Sequence, residues 1–129
     1  MEFFEEIKCE SINVKQLHEM LSINDLPTLC SSINTVIRDD ISEGSIYCLW
    51  GEFDINREEL KHGIRFSLPN CPNALTWSIT MEKNLGSLMI HCTINKKEPD
   101  QDIIESINDF ILDWKFGLSN VLEKYKCLI

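Results

Sequence analysis

Four successive stretches alternate apolar and polar residues with a period of two, and this pattern constrains the fold more than any other feature. Tyr47, Leu49, Phe53 and Ile55 form the first run, and Ile64, Phe66 and Leu68 the second. Leu75, Trp77, Ile79 and Met81 form the third, and Leu88, Ile90, Cys92 and Ile94 the fourth. Successive side chains on a strand point to opposite sides, so each run supplies one apolar face. The segments between them, Arg57 to Gly63, Pro69 to Asn73 and Glu82 to Gly86, carry the Gly, Pro and Asn residues of tight connections. The pattern predicts an antiparallel meander with one buried face.

What covers that face follows it in the chain. Pro99, Asp100 and Asp102 make a favourable helix start. Ile103, Ile104, Ile107, Phe110, Ile111, Trp114, Leu118, Val121, Leu122 and Tyr125 then recur at steps of three and four. A helix of that span is a rod of roughly 38 Å. Neither its apolar stripe nor the sheet's apolar face is stable in water alone. Packing one on the other predicts an α+β class with a long C-terminal helix.

The N-terminal part is less regular. Phe3, Ile7 and Cys9 make a short strand-like run. Ser11 is placed to cap a helix carrying Ile12, Val14, Leu17, Met20 and Leu21. Asn24 to Pro27 ends it and starts a second, with Leu29, Cys30, Ile33, Val36 and Ile37 on one stripe. Two short helices are expected there. The chain of 129 residues reads as a single domain over 1–129, without repeats or linkers.

Twelve basic against twenty-one acidic side chains give a formal charge of -9, which repels phosphate backbones and argues against nucleic-acid binding. No apolar stretch has membrane-spanning length and the start, MEFFEEIKCE, is acidic, so a cytoplasmic protein is expected. Cys9, Cys30, Cys48, Cys71, Cys92 and Cys127 show no paired spacing, and are read as reduced thiols, several serving as small core residues. No metal site or cofactor is expected, because short-spaced ligand pairs are missing.

The order of a short strand, two small helices, a curved antiparallel sheet and a long C-terminal helix resembles the START-like superfamily, also called the SRPBCC or birch-pollen-allergen fold. Within it the chain resembles the activator-of-heat-shock-ATPase (Aha-type) homologues. The residues that carry this are LMIHCTINKKEPDQDIIESINDFILDWKFGLSNVLEKY, a strand, an acidic break and a helix with Trp114, Leu118 and Leu122. ISEGSIYCLWGEF, with Gly44 and Gly51, looks like the family's glycine-opened strand. The resemblance implies a helix-grip fold that encloses an apolar pocket or offers a surface to partner proteins. It brings no shared catalytic set.

Candidate sites are few. His91 falls by alternation on the polar face with Arg65, Ser67, Ser78 and Thr80; His62 lies in a turn and His18 on the first helix. Glu58-Glu59 and Asp39-Asp40 are adjacent in sequence, a spacing that turns two carboxylates away from each other in helix or strand. Tyr47, Phe53, Phe66 and Trp77 on the sheet's inner face, with Phe110 and Trp114 on the helix, either fill the core or line a ligand cavity. Trp50 alternates onto the outer face with Ile46 and Cys48, as an edge or contact strip. Cys71, in NCPN, reads as part of a rigid connector rather than a reactive centre.

The expected function is a noncatalytic binding module for an apolar small molecule or, cochaperone-like, for a protein client. The alternative is a small acidic dimeric chaperone resembling those of type III secretion, which requires a helix inserted between strands. A polyketide-cyclase-like enzyme would need acid-base residues inside the cavity, and the inner-face positions supply almost none.

Overall fold

A computed structural model describes residues 1–9, 12–82 and 86–127, the last two without their side chains. Ser11 and the middle of the Glu82–Gly86 connection lie outside the described residues. The elements in chain order are β1 (Glu2–Lys8), α1 (Val14–Met20), α2 (Leu26–Leu29), β2 (Ile33–Asp39), β3 (Glu43–Cys48), β4 (Gly51–Leu60), β5 (Gly63–Ser67), β6 (Thr76–Glu82), β7 (Ser87–Thr93) and α3 (Gln101–Cys127). Among the described residues no helix is long and apolar enough to cross a membrane.

The strands form one curved seven-stranded sheet in the order β1-β7-β6-β5-β4-β3-β2, antiparallel throughout. From β2 to β7 each strand pairs with its successor, and β1 closes the far side against β7. The helix α3 packs on β1, β7 and α2. Lys115 Nζ reaches Glu5 Oε1 at 2.6 Å, and the N-terminal ammonium donates to the carbonyls of Ile94 and Lys96, both at 3.1 Å. This is an α+β helix-grip arrangement, whose α+β class the periodicities predict and whose grip the START-like resemblance implies.

Helix α1 begins at Asn13, whose Oδ1 accepts from the Gln16 amide at 2.8 Å while Gln16 Oε1 accepts from the Asn13 amide at 2.9 Å. That reciprocal pair satisfies two otherwise orphaned amides. Arg57 closes the other end: its side chain, 9% exposed, donates to the carbonyls of His18 and Leu21, both at 2.7 Å. A cation on the last carbonyls of a helix suits both their lone pairs and the helix dipole.

Three sequence expectations are corrected. The second helix stops at Leu29, and Ile33, Val36 and Ile37 belong to β2 instead. Register shifts between Ile33 and Thr35 and between Val36 and Arg38 place Ile33 opposite Cys48 and Val36 opposite Ile46. The shift between Ile33 and Thr35 therefore turns inward two residues three apart, a spacing that mimics a helix. The segment from Arg57 also continues as strand, since β4 runs to Leu60 and the turn is confined to Lys61 and His62. Its polar residues are absorbed by the Glu58–Arg65 ion pair and by Arg57's inward bonds.

The third correction concerns the first alternating run, which is two strands rather than one. Cys48 pairs with Gly51 across a two-residue turn, and Gly51 has a φ of 115°, left-handed backbone that glycine adopts without a Cβ penalty. Paired residues share a face, so even-numbered residues of β3 face the same way as odd-numbered residues of β4. Ile46 and Cys48 are accordingly buried beside Ile55, while Tyr47, opposite Glu52, is 50% exposed on the outer face.

Candidate ligand-binding site

Trp77 is the hub of the sheet–helix interface, with ring centroids 5.5 Å from Phe66, 5.0 Å from Phe110 and 6.2 Å from Trp114. Phe66 also meets Trp114 at 6.0 Å. All four rings are fully buried, and the other three each meet Trp77. Edge and tilted contacts at these separations are favourable for aromatic quadrupoles and fill the middle of the grip. The indole N–H groups of Trp77 and Trp114 have no hydrogen-bond partner among the described residues.

Beyond that cluster, at the end of the sheet where the β3–β4 hairpin approaches α3, lies a partly open cavity of about 210 Å³. Trp50 from the hairpin and Phe53 from β4 form one wall. Cys71, Pro72, Asn73 and Leu75, from the β5–β6 connection and its end, form another. Ile94, after β7, and Ile103 and Ile107, from the start of α3, complete it. Of the six aromatic residues singled out in the sequence, Phe53 lines this cavity and Tyr47 faces away from it. Phe66, Trp77, Phe110 and Trp114 lie in the packed cluster behind it, and none of the four is among the lining residues.

Trp50 sits on the inner side, correcting the outer strip inferred from alternation. The two-residue turn reverses parity, as it does for Tyr47, and brings the indole onto Phe110 with centroids 5.0 Å apart. Its Nε1–H donates to Ser106 Oγ at 3.2 Å, and that hydroxyl donates to the Ile103 carbonyl at 3.0 Å. A single side-chain hydrogen bond thus pins the hairpin to α3.

The NCPN connector is held at several points. The Cys71 amide donates to Leu68 O and the Ala74 amide to Cys71 O, both at 3.0 Å. Asn70 Oδ1 accepts from the Asp54 amide at 3.1 Å, and Asn73 O accepts from the Asn95 amide at 2.9 Å. Tied to β4 on one side and to the segment after β7 on the other, the connector makes a rigid cavity wall. Composition placed it as a connector; nothing in it indicated what it would lean against.

Burial pushes the Cys30 and Cys92 thiols up to about 12, and raises Cys48 in the same direction. Cys71 is half-buried and lies close enough to Cys48 and Cys92 that its charge would disfavour theirs. Thiols reactive as thiolates need the opposite environment. Iodoacetamide at pH 8 is expected to leave Cys30, Cys48 and Cys92 unmodified in the native protein. Peptide mass mapping before and after denaturation checks this, and rapid native labelling of Cys92 would contradict the packing.

Polar side chains gather elsewhere, in an open groove of about 430 Å³ between α1 and the neighbouring strands. His18 Nε2–H donates to the carbonyls of Leu60 and Gly63 at 3.0 and 2.9 Å, which leaves Nδ1 3.7 Å from Glu59 Oε2. Arg57 is occupied with backbone carbonyls. Sequence adjacency gave no sign of this grouping, because its members come from α1, β2 and β4. Their hydrogen bonds hold helix to sheet. On the outer face His91 stacks on Phe4, centroids 4.4 Å apart, and meets Glu2 Oε1 at 3.1 Å. Among the described residues no group of three or more His, Cys, Asp or Glu side chains is arranged to hold a metal ion.

No protein-family model matches the chain, and no curated protein matches it significantly. Solved structures do. A START superfamily protein from Mycobacterium smegmatis superposes with a TM-score of 0.62 at 11% identity, covering 97% of each chain. The protein XoxI from Bacillus cereus gives 0.65 at 13% identity, over 98% of this chain and 96% of its own. An uncharacterised protein from Bacillus thuringiensis gives 0.63 at 13% identity, over 95% and 97%. At such identities the likeness is one of architecture, and it agrees with the strand order and the long closing helix described above. The chain has the START-like, helix-grip fold.

Proposed function

We propose that the domain is a noncatalytic binding module that holds a small apolar molecule between the β3–β4 hairpin, the NCPN connector and the start of α3. The cavity of about 210 Å³ carries this reading: its walls are mostly aromatic and aliphatic, and among the described residues no acid-base pair lines it. Concave, mostly apolar sites with a few polar groups are the usual form of small-molecule sites. A START superfamily protein with the same architecture is compatible with such a role.

Filling the cavity from its own lining tests the reading. Ile103 is half-buried at the cavity wall, so Ile103→Trp projects an indole into the space with little demand on the core. The variant is expected to keep the wild-type circular dichroism spectrum and to lose at least tenfold in affinity for a bound hydrophobic probe. Unchanged affinity would remove the cavity as the site. The same variant separates the protein-client version of the module. A client would dock on the exposed side of α3, where Leu112 and Phe116 are 51% and 76% exposed one turn apart, and would be indifferent to a blocked cavity. The dimeric-chaperone alternative is disfavoured by the topology, because among the described residues strands β2 to β7 follow one another with no helix between them.

A further inference from the structure

The cavity's size, charge and polar groups narrow its ligand further, on the reading that it binds a small molecule at all. We infer that the ligand is a neutral molecule of single-ring size carrying one hydroxyl or carbonyl group, and that Asn73 selects it.

Size comes first. A cavity of about 210 Å³ is larger than the roughly 150 Å³ that accommodates benzene. It is smaller than the roughly 300–1,000 Å³ of sites for drug-sized ligands. Leu75 and Ile107 in its lining are buried core residues, and Trp77 and Phe110, fully buried and in contact, fill the grip without lining the cavity. A long acyl chain has no room inside the grip.

Charge comes second. Among the described residues no Lys, Arg, His, Asp or Glu lines the cavity. An ionised carboxylate or ammonium placed there would lose its water without gaining a counter-charge, which is strongly unfavourable. The protein's formal charge of -9 adds a long-range penalty against anions.

Polarity is the third constraint. The indole N–H of Trp50 is committed to Ser106, and Cys71 offers only a thiol, a weak donor. Asn73 is the lining residue with a full donor and acceptor set. Its backbone carbonyl is used by Asn95, but its carboxamide has no partner among the described residues. A primary amide at the rim of an otherwise apolar pocket recognises one hydroxyl or one carbonyl. A site built to hydrogen-bond such a group discriminates against the analogue that lacks it. The rings of Trp50 and Phe53 supply the faces and edges against which a flat ligand packs.

The experiment is a titration of the wild-type protein, labelled at isoleucine methyl groups, with toluene, p-cresol, benzoate and decanoate. Ile94, Ile103 and Ile107 report from the cavity. Expected is an order in which p-cresol binds at least tenfold more tightly than toluene, with benzoate and decanoate weaker than both. In Asn73→Leu the preference for p-cresol over toluene should collapse below threefold while toluene binding persists. Toluene binding without a wild-type preference for p-cresol overturns this inference and leaves the cavity reading standing. So does benzoate or decanoate binding as tightly as p-cresol. No methyl shift with any of the four probes overturns both.

Discussion

Trp77→Ala is expected to lower the unfolding free energy by about 3–5 kcal/mol, the range for removing a large buried aromatic ring from a core. The residue is fully buried and in contact with Phe66, Phe110 and Trp114, so its loss empties the point where sheet and helix meet. A domain of this size commonly has only about 5–15 kcal/mol of stability in total. Urea and thermal unfolding followed by circular dichroism should show Tm falling by roughly 10–20 °C. A loss under about 1 kcal/mol would mean that the cluster is loosely packed. Trp77→Phe should behave differently. The indole N–H is buried without an acceptor among the described residues, so a phenyl ring gives up some packing but removes a donor whose desolvation is uncompensated. Its cost should be well under half that of alanine.

Gly117→Ala, a substitution that ordinarily strengthens a helix by about 1 kcal/mol, is expected to weaken this protein by about 1–3 kcal/mol. A Cβ built at Gly117 would lie 2.2 Å from the Leu29 carbonyl oxygen and 2.6 Å from its carbon. The obstacle is backbone at the end of α2, which has no rotamer to adopt. Along the same seam the Cys30 thiol approaches the Phe110 carbonyl at 3.8 Å and Ser32 Oγ donates to Asp113, so α2 and the following turn are held against α3. Moving α2 aside to admit a methyl group would disturb those contacts together. Asn120→Ala, at an exposed position of the same helix, is the control and should be neutral or slightly stabilising. Equal urea midpoints for Gly117→Ala and wild type would show that the close approach of the two backbones is not a constraint.

The parts of the fold that are legible in the sequence are those whose periodicity runs unbroken. Strands β5, β6 and β7 keep strict alternation, and Ile64, Phe66, Trp77, Ile79, Ile90 and Cys92 are all buried as alternation requires. Helix α3 keeps its three- and four-residue steps from Ile107 to Leu122. Legibility fails where a local irregularity changes the phase. An irregularity in β2 between Ile33 and Thr35 turns Ile33 and Val36 inward at a helical spacing, and the two-residue turn before Gly51 exchanges the inner and outer faces of β3. A phase error of one residue sends Tyr47 outward and Trp50 inward, which is why one expected cavity residue lies on the surface and a residue expected on the surface lines the cavity.

By itself the sequence determined the class of this protein. An apolar sheet face and an apolar helix stripe must cover each other, and the resulting sandwich is the same whatever the exact register. It also determined that PNCPN, Pro69 to Asn73, is a connector, since two prolines and two asparagines suit irregular backbone. Tertiary structure alone decided where a ligand could sit. The cavity is bounded by the tip of one hairpin, a connector, a segment after a strand and the first turns of a helix, none of which carries a period that reports its neighbours. Curvature of the sheet brings those pieces to one end of α3, while four aromatic rings fill the middle. Packing of residues distant in sequence, rather than any local pattern, separates the filled part of the grip from the open part.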